Sequence, residues 1–207
     1  MGGVPKPNPE PEEMPMEFLA KNRIALMFLG LLLSLAGCAK TAPQTFLRPE
    51  FNLEYVRKVA VLPFEDNAGN ANIANRCRQI TITQILSSGL FDSVDKMQVD
   101  SVLQDEAVQP GTPINATTLR RLGQLLGVQA FLVGSLDEAG ENQKGAANYL
   151  DVSLTLRLID SESGLILWQA SGRDSGFSWF DRLFGLGGRD SYQVTQELIR
   201  NLLATIG

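Results

Sequence analysis

The sequence predicts an α/β domain in which a mixed β-sheet with a C-terminal antiparallel hairpin packs against helices. A short apolar run at 59–64 is followed by a helix-like stretch at 73–88, which is typical of a buried strand leading into a helix. Strict alternation of apolar and polar residues over 150–158 predicts a strand with one buried face. The turn residues at 160–164 join it to a second apolar stretch at 165–171, so a hairpin is expected there.

The other elements are placed by apolar spacing and by residues that cap helices. In chain order they are a strand at 91–95, a helix at 98–106, a helix at 116–126, a strand at 128–136 and a helix beginning near Asp190. Asn115 is expected to cap the 116–126 helix, with Gly127 as its stop. Asp190 and Gln193 have the spacing of a capping box. The polar stretch 137–148 is expected to be a loop.

The N-terminal part of the chain has the pattern of a lipoprotein signal peptide. Lys21 and Arg23 precede an apolar run of about 13 residues, 24–36, which is too short to span a bilayer as a helix. The run Leu35-Ala36-Gly37-Cys38 then places small residues directly before a cysteine. A chance cysteine after an ordinary signal peptide is the alternative, but four features in the right order favour lipidation of Cys38.

These features divide the chain into three parts. Residues 1–37 are expected to be the signal peptide, with Met16 as the hypothesised start because 1–15 are rich in proline and glutamate. Residues 38–55 are expected to be a lipidated tether, in which 40–49 shows little pattern. Residues 56–207 are expected to be the folded domain.

The residue after the cysteine bears on the destination of the protein. Ala39, rather than an aspartate, follows Cys38. By resemblance to Gram-negative lipoproteins, this implies the outer membrane, with the domain anchored by lipid on the periplasmic face. Two or more acyl chains give stable anchoring, so the fold itself would not need to enter the bilayer.

Composition excludes several classes of function. The chain has no histidine, which removes histidine-based catalytic triads and histidine metal sites. The net charge of −5 argues against a nucleic-acid partner. Cys77 is the only cysteine besides Cys38, so no internal disulfide is expected once Cys38 is acylated. We expect no catalytic residue, no metal and no cofactor.

Two clusters of polar residues are candidate ligand or catalytic sites. Asp66, Asn67, Asn70 and Asn72 follow the first predicted strand, near where α/β folds bind ligands. A solvated turn explains them more simply, because no glycine-rich phosphate-binding motif is present. The carboxylates of Asp151, Asp160 and Glu162 are likewise explained by the hairpin and its turn. Cys77 lies on an apolar helix stripe, where a buried cysteine acts as a small hydrophobe.

A glycine-bearing aromatic segment at 177–186 is the most informative region after the signal. It contains more large apolar groups than a protein leaves in water. They could form a lid over the domain's own core, a protein interface or a contact with the bilayer. The residues proposed for partner or membrane contact are Phe177, Trp179, Phe180, Leu183 and Phe184.

Several short motifs resemble a superfamily of bacterial lipoproteins. They are 58–66 (KVAVLPFED), 122–130 (LGQLLGVQA), 132–135 (LVGS) and 158–160 (LID) followed by Ser163-Gly164 and Trp168. In this order they resemble the CsgG/LpoB-like superfamily, which includes the curli-secretion lipoprotein, the penicillin-binding-protein activator and the TolB N-terminal-like domain. The resemblance implies a protein without catalytic activity that assembles or regulates envelope machinery through protein contacts.

The function expected from the sequence is therefore that of a non-enzymatic, outer-membrane-anchored lipoprotein acting by protein contacts in envelope assembly or secretion. Its expected partners are the membrane, through lipidated Cys38, and an envelope protein or further copies of itself. An oligomeric component of a secretion channel is one alternative. A small-ligand-binding periplasmic receptor is another.

Overall fold

Main-chain pairing and helix caps define seven strands and four helices in the part of the chain that the computed structural model describes. That part comprises Gly2 and residues 42–49, 52–109, 111–144, 147–177 and 189–206, with side chains described at all of these except 141–144, 147 and 148. All of these described strands and helices belong to the compact unit Thr41–Gly207.

The strands and helices alternate in the first half of the domain and segregate in the second. The strands are β1 (Gln44–Leu47), β2 (Lys58–Val61), β3 (Glu65–Asp66), β4 (Asp92–Ser93), β5 (Ala130–Lys144), β6 (Ala147–Asp160) and β7 (Ile166–Ser175). The helices are α1 (Ala71–Ser88), α2 (Lys96–Asp105), α3 (Ala116–Leu126) and α4 (Ser191–Leu203). A 3-10 turn, Leu53–Tyr55, precedes β2.

The strands form one mixed sheet in the order β1-β7-β6-β5-β2-β4. Strands β4 and β5 lie on either side of β2 and run parallel to it, and β3 continues the parallel pairing with β5. Strands β5, β6, β7 and β1 pair antiparallel in succession. The predicted fold class, a mixed sheet with a C-terminal antiparallel hairpin packed against helices, is confirmed.

Alternate residues of β2 belong to two separate cores, which is why this strand is apolar from Val59 onward. Val59 and Val61 belong to a large core shared with α1, α4 and the inner face of β6 and β7. Ala60 and the following Leu62 belong to a smaller core shared with α2 and α3. Helices therefore cover both faces of the sheet at β2.

Strands β6 and β7 have one buried and one polar face, as the alternation predicts. Leu154, Leu156 and Leu158 are buried in the larger core. On the opposite face, Thr155 shares a hydrogen bond with Ser171 (2.9 Å) and donates one to Asp137 (2.7 Å). From Asp151 to Arg157 this face of β6 carries half-buried polar side chains, and Ile159 beyond them packs against the smaller core.

The prediction of a loop over 137–148 is wrong. Strands β5 and β6 continue through this segment as an arm, with pairs running from Glu138↔Ser153 to Lys144↔Ala147 after a register shift at Leu136/Glu138. The arm is two-stranded only beyond Asp151↔Ser175, the last pair of β6 with β7. Main-chain hydrogen bonds hold such a ladder whatever the side chains are, so a polar composition does not prevent it. The polarity of 137–148 misleads here because the fully buried side chains of this ladder, Leu150 and Val152, follow that stretch on β6.

The prediction of an unpatterned tether is also wrong for part of its length. Within 40–49, the residues of β1 pair antiparallel with β7, and Arg48 Nε donates to the carbonyl of Ile166 at 2.9 Å. All four residues of β1 are exposed, so they show no apolar periodicity that a sequence pattern could reveal. The sheet therefore begins at Gln44, twelve residues before the predicted domain boundary at 56.

Most helix ends follow their predicted capping residues. The side chain of Asn115 accepts a hydrogen bond from the amide of Thr118 at 2.9 Å, and Gly127 ends α3 with a φ of 63°. Asp190 is the N-cap of α4, but its side chain makes no capping hydrogen bond, so the capping box with Gln193 is wrong. None of the helices within the described ranges is long and apolar enough to span a bilayer.

Candidate functional site at the carboxyl end of β2

The carboxyl end of β2 is a switch point of the sheet. The connection from β2 to its neighbour β4 passes through α1 on one face, and α2 and α3 lie on the other face before the chain returns as β5. The connections that leave the neighbouring strands β2 and β4 therefore pass over opposite faces of the sheet. In open α/β sheets, a crevice forms at such a point and binds ligands.

A cavity of about 310 Å³ lies at this end of β2. Its wall is mostly apolar and comes from the residues after β2, from α2 and α3, from the segment that joins these helices, and from the outer face of β5 and β6. The apolar residues that line it include Leu62, Leu103, Val108, Leu119, Val133 and Ile159. This size is at the lower end of the range for small-ligand sites.

The polar side of the cavity is formed by Glu65 and Arg157. Arg157 Nη2 lies 3.4 Å from Glu65 Oε2, a long contact between two partly exposed side chains. Arg157 Nε is buried and has no hydrogen-bond partner among the described residues. A buried donor without an acceptor is costly, so this guanidinium has unused capacity to bind.

A buried arginine beside the cavity, Arg78, is paired with a carboxylate. The side chain of Arg78 is 2% exposed, and its Nη1 lies 2.6 Å from Asp100 Oδ1. Lys96 Nζ contacts the other oxygen of Asp100 at 2.8 Å. Burial raises the pKa of Asp100, but hydrogen bonds and charge from Lys96 and Arg78 outweigh it and hold the pKa below its usual range.

In the asparagine-rich turn, the side chains of Asp66 and Asn70 already accept hydrogen bonds from main-chain amides of the same segment. Asp66 Oδ1 accepts a hydrogen bond from the amide of Asn70 at 2.9 Å, and Asn70 Oδ1 accepts one from the amide of Ile73 at 3.2 Å. The amide of Asn67 donates to the carbonyl of Leu136. The turn lies at the same end of β2 as the cavity, but none of these residues lines it.

The three candidate carboxylates do not come together. Asp151 pairs with Ser175 and Asp160 with Ala130, at opposite ends of β6. Asp160 is buried and accepts hydrogen bonds from Ser163 Oγ at 2.6 Å and Tyr55 Oη at 2.8 Å.

The other two candidate side chains, those of Glu162 and Cys77, have structural roles. Glu162 is exposed and lies 3.3 Å from Arg120. Cys77 is fully buried, as expected, and burial raises the pKa of its thiol to about 12.

The proposed contact segment is described only at its start. Phe177 is half-buried and stacks on Tyr149, with ring centroids 5.1 Å apart and planes inclined by 27°. Trp179, Phe180, Leu183 and Phe184 lie outside the described residues, and so does Cys38.

The cavity was missed in the sequence because its residues come from separate elements. Arg157 is one of several polar residues on the outer face of β6, and nothing in the alternation separates it from its neighbours. Val108 lies in a connection with no periodicity. Only the pairing of β5 with β2 and β6 brings these positions together.

The chemistry available at this site is that of binding. The cavity offers an apolar surface with one arginine whose charge is already faced by a carboxylate. Within the described ranges, no group of three Asp, Glu, Cys or His side chains is placed to hold a metal ion.

A family model described as the peptidoglycan-synthase activator LpoB matches residues 71–173, from the start of α1 into β7. Over this stretch, 103 of its 207 residues, the chain is similar to the LpoB-like family of bacterial lipoproteins. The resemblance stated from the motifs is thereby confirmed for LpoB, whereas its CsgG part is not supported. No curated protein sequence matches the chain significantly.

Solved structures of other lipoproteins share the fold of this LpoB-like chain. Lipoprotein GNA1162 from Neisseria meningitidis has a TM-score of 0.54 at 19% identity, covering 72% of this chain and 97% of that one. The PelC L103M dodecamer from Paraburkholderia phytofirmans has a TM-score of 0.53 at 17% identity, covering 79% and 96%. At these identities the likeness concerns the fold alone.

Proposed function

We propose that this LpoB-like lipoprotein is anchored in the outer membrane through acylated Cys38 and activates a peptidoglycan synthase by direct protein contact. The family match over 71–173 carries the proposal, because that family is described as a synthase activator. The cavity beside Arg157 is consistent with a binding role. The protein would act in envelope assembly without performing catalysis itself.

The short link before the sheet limits where such a contact can occur. Six residue steps separate Cys38 from Gln44, the first residue of β1. At about 3.3–3.6 Å per residue, the link spans about 20 Å when fully extended. An acylated Cys38 would hold the edge of the sheet close to the membrane surface, so the partner must reach the domain there.

The activation proposal is tested with a purified penicillin-binding protein from the same organism. We expect the lipoprotein to bind it directly and to raise its rate of glycan-chain synthesis from a lipid-linked precursor. A Cys38→Ala variant should activate equally in detergent solution, because the contact is made by the folded domain. Absence of both binding and activation would refute the proposal.

The anchor is tested by labelling cells with radioactive palmitate. We expect label on the wild-type protein and none on Cys38→Ala. Cys77→Ala is the matched control, because it removes the other cysteine, which is buried in the core. Label retained by Cys38→Ala, or lost from Cys77→Ala while the protein is still made, would contradict lipidation at Cys38.

A second candidate function is that of an oligomeric component of a secretion assembly. The fold likeness to PelC, which was solved as a dodecamer, favours this alternative. Native mass spectrometry of the purified protein distinguishes the two. A closed assembly of many copies supports the channel component, whereas a monomer that binds the synthase supports the activator.

We further propose that the segment beginning at Phe177 contacts the partner or the membrane. The expected contact residues are Phe177, Trp179, Phe180, Leu183 and Phe184. Replacing Trp179 and Phe180 with serine should weaken synthase or vesicle binding at an unchanged melting temperature. Tyr192→Ser, an exposed aromatic outside the segment, is the control. Unfolding of the double variant would identify a core lid instead.

A further inference from the structure

We propose that the cavity at the carboxyl end of β2 receives one apolar side chain of a partner polypeptide, whose neighbouring peptide carbonyl hydrogen-bonds to the guanidinium of Arg157. The inference rests on the proposed function in one respect, that the partner is a protein. The cavity would then be the place where the synthase contacts this protein.

The size and lining of the cavity fit a single anchoring side chain. Its volume is about 310 Å³, and Val133 and Ile159 form one apolar wall opposite Leu103 and Leu119. Protein interfaces concentrate their binding energy in a few side chains that fill desolvated pockets of this kind. An aliphatic or aromatic side chain would remove this surface and its own from water.

Two polar groups of the segment that borders the cavity already have hydrogen-bond partners. The amide of Val108 donates to the carbonyl of Leu103 at 2.9 Å, and Thr112 Oγ1 donates to the carbonyl of Gln109 at 2.7 Å. These groups do not compete for the ligand.

Arg157 is the polar group that lacks a full set of partners. Its Nε is shielded from solvent without an acceptor, and its Nη2 contact with Glu65 is long at 3.4 Å. A small turn of the guanidinium toward the cavity gives Nε an acceptor and gives up only this weak contact. Binding therefore relieves the cost of a buried, unpaired donor.

The charge at the site favours a neutral acceptor over an anion. Glu65 already faces the guanidinium of Arg157, so a carboxylate entering the cavity would meet its like charge. A peptide carbonyl accepts the same hydrogen bond without that repulsion. The combination of an apolar side chain and an adjacent neutral carbonyl is what a polypeptide presents at each apolar residue.

The test uses N-acetyl-leucinamide as the probe in an NMR titration of the purified full-length protein. We expect saturable shifts of the methyl signals of Leu119 and Val133 and of the Arg157 Nε–H signal, with a dissociation constant in the millimolar range. N-acetyl-leucine, which carries a carboxylate, should bind more weakly. N-acetyl-glycinamide, which lacks the apolar side chain, should cause no such shifts.

The variants separate the two parts of the site. Glu65→Gln should remove the preference for the amide probe over the carboxylate probe. Val133→Phe should fill the cavity and abolish binding. A circular dichroism melt shows whether this variant is folded. Leu125→Phe is the matched control: it also introduces a phenylalanine, but at an exposed position on α3, and should leave binding unchanged. Arg157→Lys keeps the positive charge but removes Nε–H, and should weaken binding.

Several outcomes would overturn the inference. They are shifts confined to residues away from the cavity, tighter binding of the carboxylate probe to the wild type, or unchanged binding in a folded Val133→Phe variant. Synthase activation by Val133→Phe at the wild-type level would refute the pocket as the docking point while leaving the proposed function intact. Probe binding without any synthase contact would refute only the function.

Discussion

Arg78 holds the last residue of β2 through its main chain. Its Nε and Nη2 both donate to the carbonyl oxygen of Val61, at 3.0 and 2.8 Å. This carbonyl lies where β2 ends and the switch-point cavity begins, so a side chain of α1 closes the end of the strand. Asp100 on α2 balances the charge of the buried guanidinium.

The pairing of Asp100 with Arg78 should make the fold sensitive to acid. Because the pKa of Asp100 is lower in the folded protein than in the unfolded chain, its contribution to stability is present above about pH 4. It is lost as the pH falls through the folded-state pKa. We expect Asp100→Asn to flatten the acid side of a stability-against-pH curve measured by urea unfolding.

Asp105→Asn, an exposed change on the same helix, controls for the general effect of removing a carboxylate. At pH 7, Asp100→Asn should cost about 1–2 kcal/mol, a value kept small because Asp100 is partly exposed. An acid profile that is the same for both variants would show that Arg78 does not depend on this partner.

A second prediction concerns the hydroxyl of Tyr55, which ties the segment before β2 to the hairpin turn. Burial, together with the hydrogen bond to Asp160 and its charge, raises the pKa of Tyr55 well above its usual value. Tyr55→Phe removes only this hydrogen bond, so we expect a loss of about 1 kcal/mol in the free energy of unfolding.

Asp160→Ala should cost more, about 2–3 kcal/mol, because it also leaves the amide of Ser163 without its acceptor, which now lies at 2.7 Å. A double-mutant cycle in urea isolates the Tyr55–Asp160 coupling. If the two losses simply add, the contact at 2.8 Å makes no net contribution.

The elements predicted correctly are those whose signal lies in local periodicity or in capping residues. The alternation over 150–158 marks a half-buried strand because every second side chain enters one core. Asn115 and Gly127 mark α3 because helix ends leave main-chain groups that need such residues. These features depend on neighbours within a few positions of the chain.

The features that were missed depend on pairing across long sequence distances. Strand β1 and the arm of β5 and β6 are held by main-chain ladders, and polar or exposed side chains give no sign of these. The cavity requires Leu62, Val133 and Arg157 to meet across three strands. A single sequence does not show which residues pair across strands. It therefore indicates a site near the end of β2 but not the residues that line it.

A third prediction tests the close approach of Phe64 to β5. A Cβ atom at Gly134 would lie 2.3–2.5 Å from three atoms of the Phe64 ring, so no side chain fits there. Gly134→Ala should cost about 1–3 kcal/mol, the usual penalty of an overpacked core. Phe64→Leu should restore part of this loss in the double variant, measured by chemical unfolding. Additive losses would show that the cost of Gly134→Ala does not come from the Phe64 ring.

A fourth prediction uses the reactivity of Cys77 as a probe of the core. In a Cys38→Ala variant it is the sole thiol, and it is fully buried on α1. Burial raises its pKa from about 9 to about 12, which lowers the thiolate population about a thousandfold. We therefore expect iodoacetamide at pH 8 to leave the native protein unlabelled over hours, as followed by mass spectrometry.

Labelling of Cys77 should appear only when urea opens the domain, and its rate should follow the unfolding transition. The reason is that the thiol must reach solvent before it can ionise at this pH. Raising the pH from 8 to 9 should speed any residual native labelling by up to about tenfold, because the thiolate fraction grows about tenfold per pH unit below the pKa of the thiol. Rapid labelling in the absence of urea would mean that α1 leaves the sheet readily. The main-chain contact between Arg78 and Val61 would then fail to close the end of β2.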